Sequence, residues 1–147
     1  LTSVGSAREV TDLLDRIATR IGGRYALERE LGRGGMATVY LAEEAKHGRQ
    51  VAIKVLHPEV APALGAERFL REIGIAARLS HPQLVPLIDS GQAGSFLYYV
   101  SAYIDGGSLR DRLQRERRLS LDDALRIAQE AGAGLDYAHR AGFISSV

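Results

Sequence analysis

The sequence predicts an α+β domain: a five-stranded antiparallel sheet with one helix inserted into it, followed by two further helices. Three observations carry this. Residues 25 to 56 and 84 to 104 hold short alternating or β-branched apolar runs separated by glycine-rich and polar turns. Between them, Leu64 to Leu79 has the spacing of an amphipathic helix. From Leu109 onward the apolar period is helical and stays so.

The elements follow in order. Ser6 to Arg20 reads as a helix, opened by the capping box of Ser6 and Glu9 and carrying Val10, Leu13, Leu14 and Ile17 on one face. Gly22 and Gly23 end it, and docking of that face on the rest of the chain is the expected fate of a lone amphipathic helix. Tyr25 to Leu31 and Thr38 to Glu44 alternate apolar and polar residues on either side of Gly32-Arg33-Gly34-Gly35, which gives strand, loop, strand. Val51 to Leu56 is a β-branched third strand with Lys54 embedded in it. The helix Leu64 to Leu79 places Phe69, Leu70, Ile73, Ala76 and Ala77 on its apolar side, and Ser80-His81-Pro82 closes it, since the residue before proline avoids helical geometry. Leu84 to Ile88 and Phe96 to Ile104 form a hairpin across the turn-rich Ser90 to Ser95. A short helix spans Leu109 to Leu113, and Ser120 with Asp123 caps a long one that Gly142 ends.

Bulk properties narrow the function. A chain of 147 residues is of single-domain length and can bury roughly 68–70% of its unfolded surface. With 46% apolar and 25% charged residues it reads as globular, not disordered. Nineteen basic residues against 18 acidic ones leave a net charge of +1, too little for a general grip on nucleic acid or anionic lipid. The arginines between Arg110 and Arg118 are interrupted by acids and lack interleaved aromatics, so they read as a solvated helix face. There is no cysteine, and the four histidines are scattered without ligand spacing, so no metal site is expected. No run approaches the roughly 18 apolar residues of a membrane span, and the N-terminus lacks a signal pattern; a cytoplasmic location is expected.

Nucleotide phosphates need backbone that approaches closely and offers N–H groups, which glycines at 32 and 34 between two strands supply. The loop alone describes a tight hairpin equally well. The next strand adds Ala52, small enough to leave room for a flat base, and then Lys54, a cation at reach of phosphate oxygens.

Gly32-x-Gly34-x-x-Ala37-x-Val39, Val-Ala-Ile-Lys at 51 to 54 and Glu72 on the following helix together resemble the signature of the protein kinases. The similarity covers about residues 24 to 144. Gly-x-Ser-Leu-Arg at 106 to 110 and Tyr137-Ala138-His139 make it closest to the bacterial serine/threonine kinases. The resemblance implies a helical extension (1–23), an N-lobe with hinge (24–104) and the first helices of a C-lobe (105–147). It implies an ATP site made of Leu31, Gly32, Arg33, Gly34, Gly35, Met36, Ala37, Thr38, Val39, Ala52, Lys54, Glu72, Ser101, Ala102 and Ile104. In it Leu31, Val39 and Ala52 sandwich adenine, and the backbone of Ala102 and Ile104 reads its edge. Glu72 pairs with Lys54 to aim the amine at the α- and β-phosphates. His139 reads as structural.

The sequence departs from the family at three places. Ala37 replaces the third glycine of the loop, and Ser101 stands at the position gating the pocket behind adenine, where a small residue implies a deeper pocket. After Gly142-Phe143-Ile144 the family continues with His-Arg-Asp, whereas this sequence reads Ser145-Ser146-Val147. The catalytic aspartate and the Mg2+ ligands of the family are not among the 147 residues, so Mg2+ chemistry is expected only in an intact domain. The leading expectation is the ATP-binding portion of a serine/threonine kinase, inactive by itself and of marginal stability, with an unidentified protein substrate. The rival is a non-catalytic, pseudokinase-like module that binds nucleotide, or a protein partner through the exposed face of the last helix.

Overall fold

The computed structural model describes residues 15–19 and 21–143. Five strands form one antiparallel sheet: β1 (Tyr25–Arg33), β2 (Ala37–Glu44), β3 (Arg49–Leu56), β4 (Leu87–Ala93) and β5 (Phe96–Ala102), in spatial order β1-β2-β3-β5-β4. Between β3 and β4 lie a single helical turn, α1 (Ala61–Leu64), and α2 (Ala66–Ala76); after β5 come α3 (Leu109–Glu116) and α4 (Leu121–Arg140). The five-stranded α+β architecture expected from the sequence is the one observed.

Strand register explains the sheet's two unlike faces. In β3, Val51, Ile53 and Val55 are buried while Ala52 and Lys54 between them are half-buried, because successive side chains point to opposite sides. Tyr40 and Val100 stand opposite Ile53, and Ala42 opposite Val51, so the buried residues form one continuous outer face. Val39 and Tyr99 stand opposite Lys54, and Ser101 opposite Ala52, which makes the inner face. β3 is a central strand, so Lys54 is not an edge-strand charge.

Several boundaries differ from the sequence expectation. The helix expected over Leu64–Leu79 is interrupted at Gly65, whose φ of 72° breaks the helical path. It ends at Ala76, and the turn bonds from Arg78 N–H to Ile75 O (3.0 Å) and Leu79 N–H to Ala76 O (3.1 Å) close it. The stretch from Ser90, expected as turn, is strand: β4 runs to Ala93, and the reversal is confined to Gly94 (φ 64°) and Ser95. An edge strand paired only with β5 tolerates polar residues such as Ser90 and Gln92. β5 stops at Ala102, short of Ile104.

The first expected helix is described in part: residues 15–19 and 21 are helical, and the Ser6–Glu9 capping box lies outside the described residues. At the far end, α3 has a full capping box. The Ser108 hydroxyl accepts from Asp111 N–H (3.2 Å), and Ser108 N–H donates to the Asp111 carboxylate (2.7 Å). Ser120 caps α4 by accepting from Asp123 N–H (3.1 Å).

α4 is joined to α3 by the Arg112–Asp123 ion pair (2.6 Å) and meets the N-terminal part of the molecule through Tyr137 and the two residues it buries, Gly134 and Ala138. Ser80 N–H donates to the Tyr137 hydroxyl (3.1 Å), and the Tyr137 ring lies 5.1 Å from that of His81. A Cβ on Gly134 would lie 3.2 Å from the Gln83 carbonyl oxygen, so the absent side chain is what lets the helix approach.

Candidate functional site

Two hollows open beside the inner face. The first, about 390 Å³, is lined by Gly32, Arg33, Gly34, Gly35, Met36, Ala37, Val39 and Lys54. The loop between β1 and β2 is tied by Gly34 N–H to Ala37 O and by His57 N–H to Met36 O, both at 2.9 Å. A Cβ on Gly32 or Gly35 would meet nothing within 4 Å, and on Gly34 only the Ala37 carbonyl oxygen at 3.8 Å. These glycines therefore leave open space where side chains would stand, as a cradle for a bulky anion requires. Two cations line this hollow: Arg33, which is paired with Glu30 (2.9 Å), and Lys54, whose Nζ lies 5.8 Å from the centre of the Tyr99 ring.

The second hollow, about 510 Å³, takes in Leu31, Ala52, Ser101, Ala102 and Ile104, the residues expected around a base. It continues past Ser101 to Ile73 and Ala76 of α2 and to Val85, Leu87, Tyr99, Tyr103 and Phe143. The small residue at 101 thus opens onto space bounded by α2. Ala102 N–H is taken by the Pro86 carbonyl (3.1 Å), which ties the end of β5 to the chain just before β4. Ile104 lies beyond the strand and is 61% exposed.

Two residues of the expected site are placed elsewhere. Thr38 is fully buried on the outer face, one position out of phase with Val39, and its hydroxyl shares a 3.0 Å hydrogen bond with His57 Nε2. Glu72 is half-exposed on α2 and pairs with Arg68 one turn away at 2.7 Å; Lys54 has no ion pair among the described residues. No α2 residue is buried, so the helix holds Glu72 outward instead of against the strand.

The sequence reading did not place Tyr99, Ile73 or Ala76 at the site. Tyr99 shares the period-two face with Ser101, and Ile73 and Ala76 share the apolar side of α2, so strand and helix periodicity contained the signal.

Ionisable groups near the hollows are perturbed modestly. Glu30, on β1 before the glycine loop, is held below the ordinary carboxylate range by its hydrogen bond to the Arg33 guanidinium (2.9 Å). Among the described residues no group of three His, Cys, Asp or Glu side chains is placed to hold a metal ion. The open glycine loop and Lys54 offer the space and the charge that a phosphate group requires.

A five-stranded sheet in this order, a glycine loop on its first hairpin, a lysine on its third strand and helices after the last strand make up the architecture of a protein-kinase N-lobe and the start of its C-lobe. Residues 25–145 match the protein kinase domain, and the chain belongs to that family. It is 43% identical over 131 residues to the probable serine/threonine-protein kinase SCO3848 of Streptomyces coelicolor, a match covering 85% of this chain and 19% of that protein. Over 125 residues it is 37% identical to the serine/threonine-protein kinase PrkC of Bacillus subtilis, covering 84% and 19%. The crystal structure of the Mycobacterium tuberculosis PknI kinase domain superposes with a TM-score of 0.72 at 32% identity, covering 80% of this chain and 49% of that one. The chain thus spans about a fifth of the length of these curated relatives.

Proposed function

We propose that residues 24–104 are the ATP-binding lobe of a serine/threonine protein kinase, and that 105–147 begin its second lobe. One observation carries the reading: all of the expected site residues except Thr38 and Glu72 line the two hollows, with Lys54 and the glycine loop around the same one. Leu31 and Ala52 would bracket the base, and the chain at Ala102 to Ile104 would read its edge through the backbone. The loop from Gly32 to Ala37 would hold the phosphates, with Lys54 supplying charge from a fixed strand position. A role for Glu72 requires α2 to turn inward and exchange Arg68 for Lys54. The Arg68–Glu72 pair is exposed, and such surface pairs resist exchange weakly.

Transfer of phosphate to a protein serine or threonine belongs to a complete kinase domain, which adds the base and the Mg2+ ligands that position and neutralise the reacting groups. By themselves, residues 1–147 should bind ATP without turning it over, and a cytoplasmic setting suits such a lobe. Calorimetric titration with Mg-ATP should give saturable one-to-one binding, with no radiolabel passed to a protein acceptor. An absence of binding would overturn the proposal, and transfer would overturn its inactivity.

A second reading, a regulatory module that binds a protein partner, draws support from α4. Leu121, Leu125 and Leu135 are 74%, 52% and 53% exposed, more apolar surface than a solvent-facing helix ordinarily shows. The two readings separate on nucleotide: only the first requires it.

A further inference from the structure

The outer face of the sheet, away from both hollows, holds the hydrophobic cluster of the fold, and two members of that cluster come from outside the kinase-matched residues. Ile17 is 1% exposed and Ile21 5%, and they cluster with Tyr25, Tyr40 and Phe96. The Arg16 guanidinium lies 5.6 Å from the centre of the Phe96 ring. A Cβ on Gly22 would run into the Ala18 carbonyl, so the chain can leave the helix this tightly only with glycine there. Arg24 N–H then bonds Ile21 O (2.9 Å).

Next comes a clasp. β1 and β4 are opposite edges of the sheet, yet the Tyr25 hydroxyl donates to Asp89 of β4 (3.0 Å) and Arg24 pairs with the same carboxylate (2.7 Å). The side chains of Arg24 and Tyr25 thus reach across the outer face from one sheet edge to the other. Tyr25 is the only buried residue of β1, and the register of that strand slips twice, between Leu27 and Arg29 and between Glu30 and Gly32. Beyond its pairing with β2, the strand that carries Leu31 and Gly32 to the hollows is held to the outer face chiefly at Tyr25, with Leu27 packed in part beside it, and Tyr25 shares its cluster with Ile17 and Ile21.

We propose that the stretch through Ile17 and Ile21 is an intramolecular ligand of the sheet's outer face, whose docking fixes β1 and thereby sets the affinity of the glycine loop for nucleotide. The affinity half of this statement rests on the ATP-binding reading above; the docking half does not.

The test is hydrogen exchange and Mg-ADP titration on the whole 147-residue chain and its variants. Ile17→Asp should speed exchange across 25–33 and 87–93 and weaken Mg-ADP by roughly fivefold or more, the lower end of ordinary site-to-site coupling. Because linkage is reciprocal, Mg-ADP should slow exchange at residues 15–19 in the unmutated chain, which a passive cover would not show. Lys54→Met should weaken Mg-ADP while leaving exchange at 25–33 unchanged. If Ile17→Asp does not fold, Ile17→Val decides: changes in the same direction, smaller in size, sustain the proposal. Unchanged exchange and affinity in the variant that folds overturn it. If the unmutated chain fails to bind Mg-ADP, the nucleotide reading falls and takes the affinity half with it. Exchange across β1 then judges docking alone: faster exchange in the variant sustains it, and no change overturns it.

Discussion

Ser101 lines the second hollow from the inner face of the sheet. Its side chain shares the inner face with Ala52, and behind it the space continues to Ile73 and Ala76. A methionine there would close that passage without touching the glycine loop. Adenine-site inhibitors with a bulky substituent aimed past residue 101 should bind the unmutated chain at least about tenfold more tightly than Ser101→Met, the worth of a filled or blocked apolar subsite. Equal affinities in a competition assay would show that the substituent does not enter this space.

Among the elements, α4 carries two glycines of opposite meaning. A Cβ on Gly132 would meet nothing within 4 Å, whereas Gly134 faces Gln83 at van der Waals distance or closer. Gly132→Ala should raise stability by about 0.5–1 kcal/mol through backbone entropy, and Gly134→Leu should lower it by about 1–3 kcal/mol by overpacking. Denaturant midpoints of the two variants, moving in opposite directions, check both. Periodicity made the strands, the long helix and its Ser120 cap legible in the sequence, because those depend on neighbours three or four residues apart. The break at Gly65 is masked by an apolar period that runs across it, and the Arg68–Glu72 pair, one helical turn apart, is a local contact that competes with a long-range pairing of Glu72 and Lys54. The Tyr25–Asp89 clasp joins residues 64 positions apart at opposite sheet edges, a relation that no local pattern encodes. The grouping of the glycine loop with Lys54 around one hollow was readable for the contrary reason: the loop closes the hairpin whose second strand pairs with β3. Thr38, next to the loop, follows the alternation of β2 and is buried on the outer face.

Across the whole molecule, stability is concentrated in the outer face, and three of its members are tyrosines. Burial, aided by Asp89, pushes the Tyr25 hydroxyl up to about 12, and burial raises Tyr40 and Tyr98 as well. A raised value means that the folded state favours the protonated phenol. The contribution of Tyr25 is therefore complete below its ordinary value near 10 and is lost as pH climbs from 10 through about 12. Alkaline titration followed by tyrosinate absorbance should show hydroxyls ionising above the free-tyrosine range, with the loss of fold tracking them. Unfolding complete before any tyrosine ionises would place the weak point elsewhere.

The central claim is that Lys54 and the glycine loop hold a nucleotide, and ligand-linked stability measures it directly. For the 147-residue chain, Mg-ATP at a hundredfold excess over its dissociation constant should add about 2.7 kcal/mol, seen as a rise in melting temperature of several degrees. Lys54→Met should lose most of that rise while melting at nearly the same temperature without nucleotide. An equal rise in both proteins, or none in either, would contradict it.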